Sequence, residues 1–283
     1  MNSISQLVGF FRSGISFQQY YKNMNSALRK LNDEYTMLHF PLYVSDEDSF
    51  LQSQKNLTDY CIKRLGSLTD KTILEIGCGN GVQAKYVQEK FNPKNVTGID
   101  LDEGNISIAN SEKERRQLRN INFFVNDAQN ITAIKDNSID VVINIESAFH
   151  YPDKSAFLNE IFRVLKPGGL FLIADILTTK NKGVGIRRTW KRRMILHHWN
   201  KKLYEEAIPG ANLQLSHSED ITRRVIKGFR PYRRWIRQIK KDHAFNDMML
   251  KLYYRINVYW TIFLLRYRRQ YYVYVGTKPM NRR

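Results

Sequence analysis

Cysteine is almost missing from this chain. Cys61 and Cys78 are the only two in 283 residues, which excludes a disulfide framework and a cysteine-rich zinc site and fits a reducing compartment. Long apolar runs are also missing: a stretch such as residues 262–265 falls far below the roughly 18 residues that cross a bilayer. The opening MNSISQLVGFFRSG has no basic residue ahead of its apolar stretch and no small-residue cleavage site, so it reads poorly as a secretory signal. What is present is 42% hydrophobic and 12% aromatic residues, enough to fill a packed core and too much for a mainly disordered chain. The expectation is a cytoplasmic globular protein, soluble or peripheral to a membrane. Its length suits one large α/β domain, or a core carrying extra helices.

The net charge of +18 is unevenly placed. Residues 1–70 hold 7 basic and 7 acidic side chains, and residues 71–179 hold 12 and 14. Residues 180–241 hold 18 and 4, and residues 242–283 hold 8 and 2. The positive field therefore belongs to the last third of the chain.

The middle of the sequence alternates short β-branched runs with helical stretches. Strands are expected at 72–77, 96–100, 122–125, 139–144 and 170–174, with helices at 82–90, 103–119 and 155–165. This is the βαβ pattern, and it predicts an α/β doubly wound parallel sheet. Lys166-Pro-Gly-Gly169 suits a type II turn before the fifth strand, since Pro presets φ at the second position and Gly accepts positive φ at the third. Upstream, 45–48 resembles an N-cap leading into a helix that carries Leu51, Leu57, Tyr60, Cys61 and Leu65. Residues 1–35 read as a helical, aromatic lid. From Gly183 onward no strand alternation is visible until 271–276, which suits a closing strand. The expected units are thus a helical extension (1–69), a nucleoside-binding core (70–179), a basic helical substrate-covering region (180–269), and a last strand with tail (270–283).

The strongest motif is Glu75-Ile-Gly77-Cys78-Gly79-Asn-Gly81, where a strand passes into a helix. Glycines there permit a tight turn and bring backbone N–H groups close to a ligand at the carboxyl edge of the sheet. Asp100 follows 19 residues after Gly81, at the end of the second strand. An acid so placed accepts hydrogen bonds from ribose hydroxyls, so the ligand should contain a nucleoside. A dinucleotide fingerprint reads G-x-G-x-x-G; this loop reads G-x-G-x-G behind an acid. Together with Gly98-Ile-Asp100, Asn126-Asp127-Ala128 and Leu165-Lys-Pro-Gly-Gly169, it resembles the class I S-adenosylmethionine-dependent methyltransferases over about residues 70–178. The resemblance implies a seven-stranded Rossmann-like sheet and S-adenosylmethionine as cofactor, with no metal. It implies that Glu75 and Gly77, Cys78, Gly79 and Gly81 surround the methionine part and that Asp100 holds the ribose. It further implies that Leu101 packs on adenine and that Asp127, beside Ala128, accepts from the adenine amino group. Asn144 and Ile145 at the fourth strand's end, and Tyr35 in the N-terminal segment, are placed with these cofactor residues. The alternative is a glycine turn that serves only strand-to-helix packing.

Methyl transfer from a sulfonium is an in-line displacement, so the protein must align a nucleophile and remove its proton. His150, in Ile145-Glu-Ser-Ala-Phe-His150-Tyr-Pro-Asp153, is the one histidine expected beside the cofactor edge, and imidazole takes a proton at neutral pH. Asp175, ending the fifth strand, is expected to orient it. The alternatives are a loop-bonding histidine and a helix-capping aspartate. The stretch resembles natural-product O-methyltransferases acting on sugar, polyketide and glycolipid hydroxyls. Leu31-Asn-Asp-Glu-Tyr35 and Tyr271-Tyr-Val-Tyr-Val-Gly-Thr-Lys278 resemble the ends of mycobacterial phthiotriolone-type lipid O-methyltransferases. The chain departs from that family in its far more basic 180–270 stretch.

In that stretch Arg187-Arg188, 191–193, Lys201-Lys202, Arg223-Arg224, Arg233-Arg234 and Lys240-Lys241 are interleaved with Trp190, Trp199, Tyr232 and Trp235. The pattern suits an anionic membrane surface, an acidic carrier protein, nucleic acid, or a solvated helical lid. Against nucleic acid, the fourth strand ends in Asn144-Ile-Glu-Ser147, unlike the N/D-P-P-Y/F pattern of base-amine methylases, and neither cysteine sits where C5 methylation needs a thiolate. The favoured reaction is O-methylation of a hydrophobic small-molecule or lipid acceptor. An RNA methyltransferase and a catalytically silent S-adenosylmethionine-binding scaffold are the alternatives.

Overall fold

The computed structural model describes residues 17–179, 196–229 and 245–280. Seven strands form one sheet: β1 (Thr72–Ile76), β2 (Asn95–Asp100), β3 (Ile121–Val125), β4 (Ile139–Ile145), β5 (Leu165–Thr178), β6 (Gln214–Asp220) and β7 (Arg269–Thr277), in the spatial order β3-β2-β1-β4-β5-β7-β6. The first five are mutually parallel. β7 runs antiparallel between β5 and β6. The described helices are α1 (Phe17–Asn32), α2 (Phe50–Ile62), α3 (Val82–Phe91), α4 (Glu103–Arg115), α5 (Lys154–Val164), α6 (Lys201–Gly210) and α7 (Phe245–Tyr267), with a further helical stretch at 222–229. The doubly wound α/β architecture expected from the alternation is present.

Alternation along each strand sorts the core into two layers, because successive side chains point to opposite faces. Ile73, Val141, Ile143, Leu172, Ala174 and Val273 meet apolar residues of α2, α3, α4 and α7. Their neighbours Leu74, Val142, Phe171, Ile173 and Tyr274 meet α5 and α6. Both faces are covered, so the parallel strands read as nearly continuous apolar runs rather than as half-buried ones.

Several boundaries differ from expectation for local reasons. The helix expected over 103–119 stops at Arg115 because Gln117 and Asn120 take left-handed conformations, with φ of 52° and 58°. The N-cap of α2 is Ser49, whose side chain accepts from the Gln52 N–H, while Asp48 accepts from the N–H groups of Val44 and Ser45 in a turn of its own. β6 lies inside the stretch expected to be helical, so 180–269 contributes a strand to the core sheet. Its sequence, QLSHSED, is polar and mostly exposed, as suits an edge strand, and shows no apolar alternation to detect. Lys166-Pro-Gly-Gly169, expected as a turn before the fifth strand, lies instead inside β5, at the register shift between the Ile139–Leu165 and Val141–Leu170 pairs, where Gly168 has φ of 78°.

Leu172 is fully buried in β5 with β4 and β7 on either side. Leu172→Ala should cost about 2–5 kcal/mol, whereas Lys202→Ala, which removes an exposed 3.6 Å pair with Glu206, should cost under about 1 kcal/mol. Urea unfolding midpoints would compare the two directly.

Candidate active site

Strand order reverses between β1 and β4, and such a switch point opens a crevice at the carboxyl ends of the strands. The crevice here is a cavity of about 290 Å³. Its floor is the turn after β1. Gly77 and Gly79 have φ of 73° and 53°, and a Cβ on Gly77 would run into the Ser147 hydroxyl, so only glycine fits that turn. Asp100 ends β2 beside it. One of its carboxylate oxygens accepts from the Gly79 N–H at 2.9 Å and the other from the Asp102 N–H at 2.9 Å. Burial still pushes Asp100 up to about 6, because the two N–H bonds only partly replace lost water.

Two further carboxyls line the cavity in drier surroundings. Glu75 is buried; its Oε1 accepts from Gln83 Nε2 at 2.9 Å and its Oε2 has no hydrogen-bond partner. Burial pushes its carboxyl up to about 8. Glu146, just past β4, has φ of 53°, a left-handed conformation uncommon outside glycine. Its N–H donates to the Ala174 carbonyl, and its Oε1 accepts from the Phe40 N–H at 2.8 Å. It too is pushed by burial up to about 8. An unpartnered buried acceptor facing a cavity is costly by itself and is matched by a ligand that brings cationic or donor groups. S-adenosylmethionine, with an ammonium and a sulfonium, meets that requirement at Glu75, and its ribose hydroxyls can donate to the Asp100 oxygens beside their N–H partners.

The residues expected to bind it are only partly gathered here. Glu75, Gly77, Cys78, Gly79, Asp100, Leu101, Asp127, Ala128 and Ile145 line the cavity. Leu101 stands 63% exposed at its rim. One oxygen of Asp127 accepts from the backbone and side-chain amides of Gln129. Three expectations need correcting. Gly81 lies behind the cavity, where it precedes α3, packed so tightly against Ala109 and Phe123 that no Cβ fits. Tyr35 faces a neighbouring depression and accepts from Arg29 at 3.2 Å. Asn144 sits below the floor, its amide donating to the Ile76 carbonyl at 2.8 Å and to the Ser147 hydroxyl at 2.7 Å.

His150 lines the cavity at the end of a short 3₁₀ turn, Ala148–His150. Its Nε2 is 2.8 Å from the hydroxyl of Tyr21, which α1 lowers into the same cavity. Asp175 was expected to hold the imidazole and does something else. Its oxygens accept from the N–H groups of Phe149 and Ile176, at 3.1 and 2.9 Å, and from the Tyr204 hydroxyl at 2.6 Å. Fully buried and outside the cavity lining, it fixes the backbone next to His150 rather than the ring.

His150 is also not the only histidine at this edge. His39 lines the cavity as well, bonded to Phe40, Met37 and Thr58 and held by burial down to about 4, so it stays neutral and structural. His198 stacks on Phe149 at 5.4 Å. Tyr21, Ser147, Tyr151 and the strap through Met37–His39 complete the walls. That strap is pinned by Asn80 donating to the Thr36 carbonyl and Gln54 donating to the carbonyls of Met37 and His39. None of these had a local sequence signal, because each acts through a contact distant along the chain.

Of the basic and aromatic region, 187–193 and 232–241 lie outside the described residues. Trp199 packs against Tyr204 in the second core layer, with the Lys154 ammonium over its ring, and so does not share an outward face with the cations. Arg224 lies over the Tyr60 ring at 4.6 Å.

Comparison with known proteins agrees with this geometry. Residues 74–173 match the family model described as a methyltransferase domain. The chain is 36% identical over 139 residues to a phthiotriol/phenolphthiotriol dimycocerosates methyltransferase of Mycobacterium tuberculosis, covering 49% of each chain. It is 32% identical over 158 residues to a fatty-acid O-methyltransferase of Mycolicibacterium smegmatis, covering 56% of this chain and 49% of that one. The chain thus spans about half the length of the curated relatives it matches. In fold it superposes on phosphoethanolamine N-methyltransferase 2 of Haemonchus contortus, solved with S-adenosyl-L-methionine, at a TM-score of 0.78 and 20% identity over 94% of this chain and 60% of that one. Residues 74–173 thus match a methyltransferase domain, and the chain shares the fold of a methyltransferase solved with S-adenosyl-L-methionine.

Glu75 and Glu146 rise from the ordinary 4.5 to about 8 on folding, so the folded chain keeps protons that the unfolded chain has released. Their unfavourable contribution is small below about pH 4 and grows as pH rises towards 8. Glu75→Gln should therefore gain stability relative to the parent as pH increases from about 5 to 8 in the ligand-free protein. Urea midpoints across that range would show it; a pH-independent difference would refute it.

Proposed function

We propose that this protein is an O-methyltransferase acting on a hydroxyl of a hydrophobic small molecule or lipid, with His150 as general base. The observation that carries this reading is the 2.8 Å contact between His150 Nε2 and the Tyr21 hydroxyl at the cavity wall. A phenolic hydroxyl already sits where the imidazole nitrogen would meet an acceptor hydroxyl. When bound, S-adenosylmethionine supplies an electrophilic methyl group on sulfur. The chain's own part is to hold and deprotonate the nucleophile. Asp100 and the glycine turn hold the ribose side, and Glu75 presents an unpartnered acceptor to a cationic group. His150 exchanges the Tyr21 hydroxyl for that of the acceptor and takes its proton at Nε2.

The acceptor class is supported by apolar cavity walls from Met37, Leu38 and Ile145 and by similarity to a phthiotriol/phenolphthiotriol dimycocerosates methyltransferase and a fatty-acid O-methyltransferase. The excess of basic residues over 180–283 keeps an RNA acceptor as the second reading. A catalytically silent scaffold would bind the nucleoside without turnover.

Incubating the protein with isotopically labelled methyl donor and a lipid extract, then following label by mass spectrometry, tests the reading. Label in the methyl ether of an apolar hydroxyl is the expected result; label only in a methyl ester or in RNA, or no S-adenosylhomocysteine formed, would overturn it. His150→Ala should lower turnover by about 10²–10⁴ while S-adenosylhomocysteine affinity by calorimetry changes less than about twofold. Asp100→Asn should do the reverse, weakening that affinity by about tenfold or more, the worth of a charge-assisted hydrogen bond.

A further inference from the structure

The C-terminal half of α7 has two opposite faces. Val258 and Leu265 are buried and Ile262 packs with them against the sheet. On the other side Ile256, Trp260, Phe263 and Tyr267 recur at steps of four, three and four residues, so they form one stripe along the helix. They are 59%, 46%, 46% and 59% exposed, and Tyr259 beside them is 46% exposed. The rings form a continuous surface: Trp260 stacks on Phe263 at 5.5 Å, and Phe263 meets Tyr267 at 5.1 Å. Soluble surfaces seldom leave such a row of large apolar side chains in water.

Two observations say what covers it. The first is charge. Exposed Arg266 and Arg268 flank the aromatic end, in a chain of net charge +18. Aromatic rings with polar edges and cations beside them match the headgroup zone of an anionic bilayer. The second is position. α7 leads directly into β7, whose first residue, Arg269, pairs with Thr178 at the carboxyl end of β5. That is the edge on which Gly77, Asp100, Glu146 and His150 open into the cavity. No helix among the described residues is long and apolar enough to cross a membrane, so α7 would lie along the surface.

We propose that the stripe Ile256–Trp260–Phe263–Tyr267 is a docking face for an anionic lipid bilayer, which sets the cavity edge against the membrane. The surface itself is argued from α7 alone; its use in delivering an acceptor rests on the O-methyltransferase reading above.

The test is partition of the full chain onto vesicles of phosphatidylcholine mixed with phosphatidylglycerol, against pure phosphatidylcholine, with S-adenosylhomocysteine affinity measured alongside as the mark of an intact fold. The parent should bind the anionic vesicles and release with added salt. Trp260→Glu combined with Phe263→Glu should lower partition by about tenfold or more with S-adenosylhomocysteine affinity unchanged. Should that variant fail to fold, Trp260→Ser with Phe263→Ser serves in its place. Trp260→Phe should keep binding yet lose part of the tryptophan fluorescence shift on vesicle addition. Unchanged partition in the Glu or Ser variants, or parent that binds neither vesicle, would overturn the assignment. So would a parent dimer that these variants disperse, marking a second copy as occupant, or salt-sensitive capture of RNA without vesicle binding. Because partition needs no turnover, loss of the methyltransferase reading would leave this result standing, and the converse.

Discussion

Three carboxyl groups gathered in one crevice are the constraint on which the site depends. Glu75, Asp100 and Glu146 all line the cavity, and burial raises all three, although the chain as a whole is strongly cationic. Among the described residues no arginine or lysine lines the cavity, and within it the carboxyls find backbone N–H groups and amides instead. Such a wall is poorly compensated when it stands alone. It is complemented by a molecule that carries positive charge and hydroxyl donors together. The glycine turn contributes to the same end by keeping side chains out of the space that molecule needs.

What holds the three carboxyls together is the parallel sheet. β1, β2 and β4 pair in parallel register, so their carboxyl ends finish on one edge, and each acid lies at or near the end of a strand. Glu75 pairs across to Gly98 and Ile143 within the ladder, which leaves little freedom for its backbone. Glu146 is held differently. Its strained φ is fixed by the N–H bond to Ala174 and the carboxyl bond to Phe40. The price of that strain is met by tying the 36–40 strap to the sheet, which closes one wall of the cavity.

Much of this was legible in the sequence because it is written in local patterns. β1 to β5 announce themselves as apolar runs between helical periods, and the glycine turn with Asp100 follows from spacing alone. Residues that act across long sequence distances were not legible. Tyr21 reaches His150 over 129 positions and Phe40 reaches Glu146 over 106, and no window of a dozen residues contains both partners. β6 was missed for a different reason: an edge strand with one neighbour, β7, needs little apolar alternation and has almost none. Trp199 was misplaced because its position among cations in sequence says nothing about which face of the fold it enters.

The same distinction explains Asp175. A carboxylate ending β5 beside a candidate base suggests a direct ring contact, but the residue following β4 turns back on itself through the 148–150 turn. That turn presents the Phe149 N–H, not the His150 ring, to Asp175. Full burial then demands that the carboxylate find other donors, and Ile176 and Tyr204 supply them. The consequence reaches the last third of the chain. Tyr204 belongs to α6, in the stretch where basic residues are concentrated, and its hydroxyl joins that helix to the backbone on which His150 stands. Residues 196–229 are thus not an appendage laid over a finished domain. They complete the sheet through β6, and through Tyr204 and Asp175 they brace the turn that aims the imidazole into the cavity.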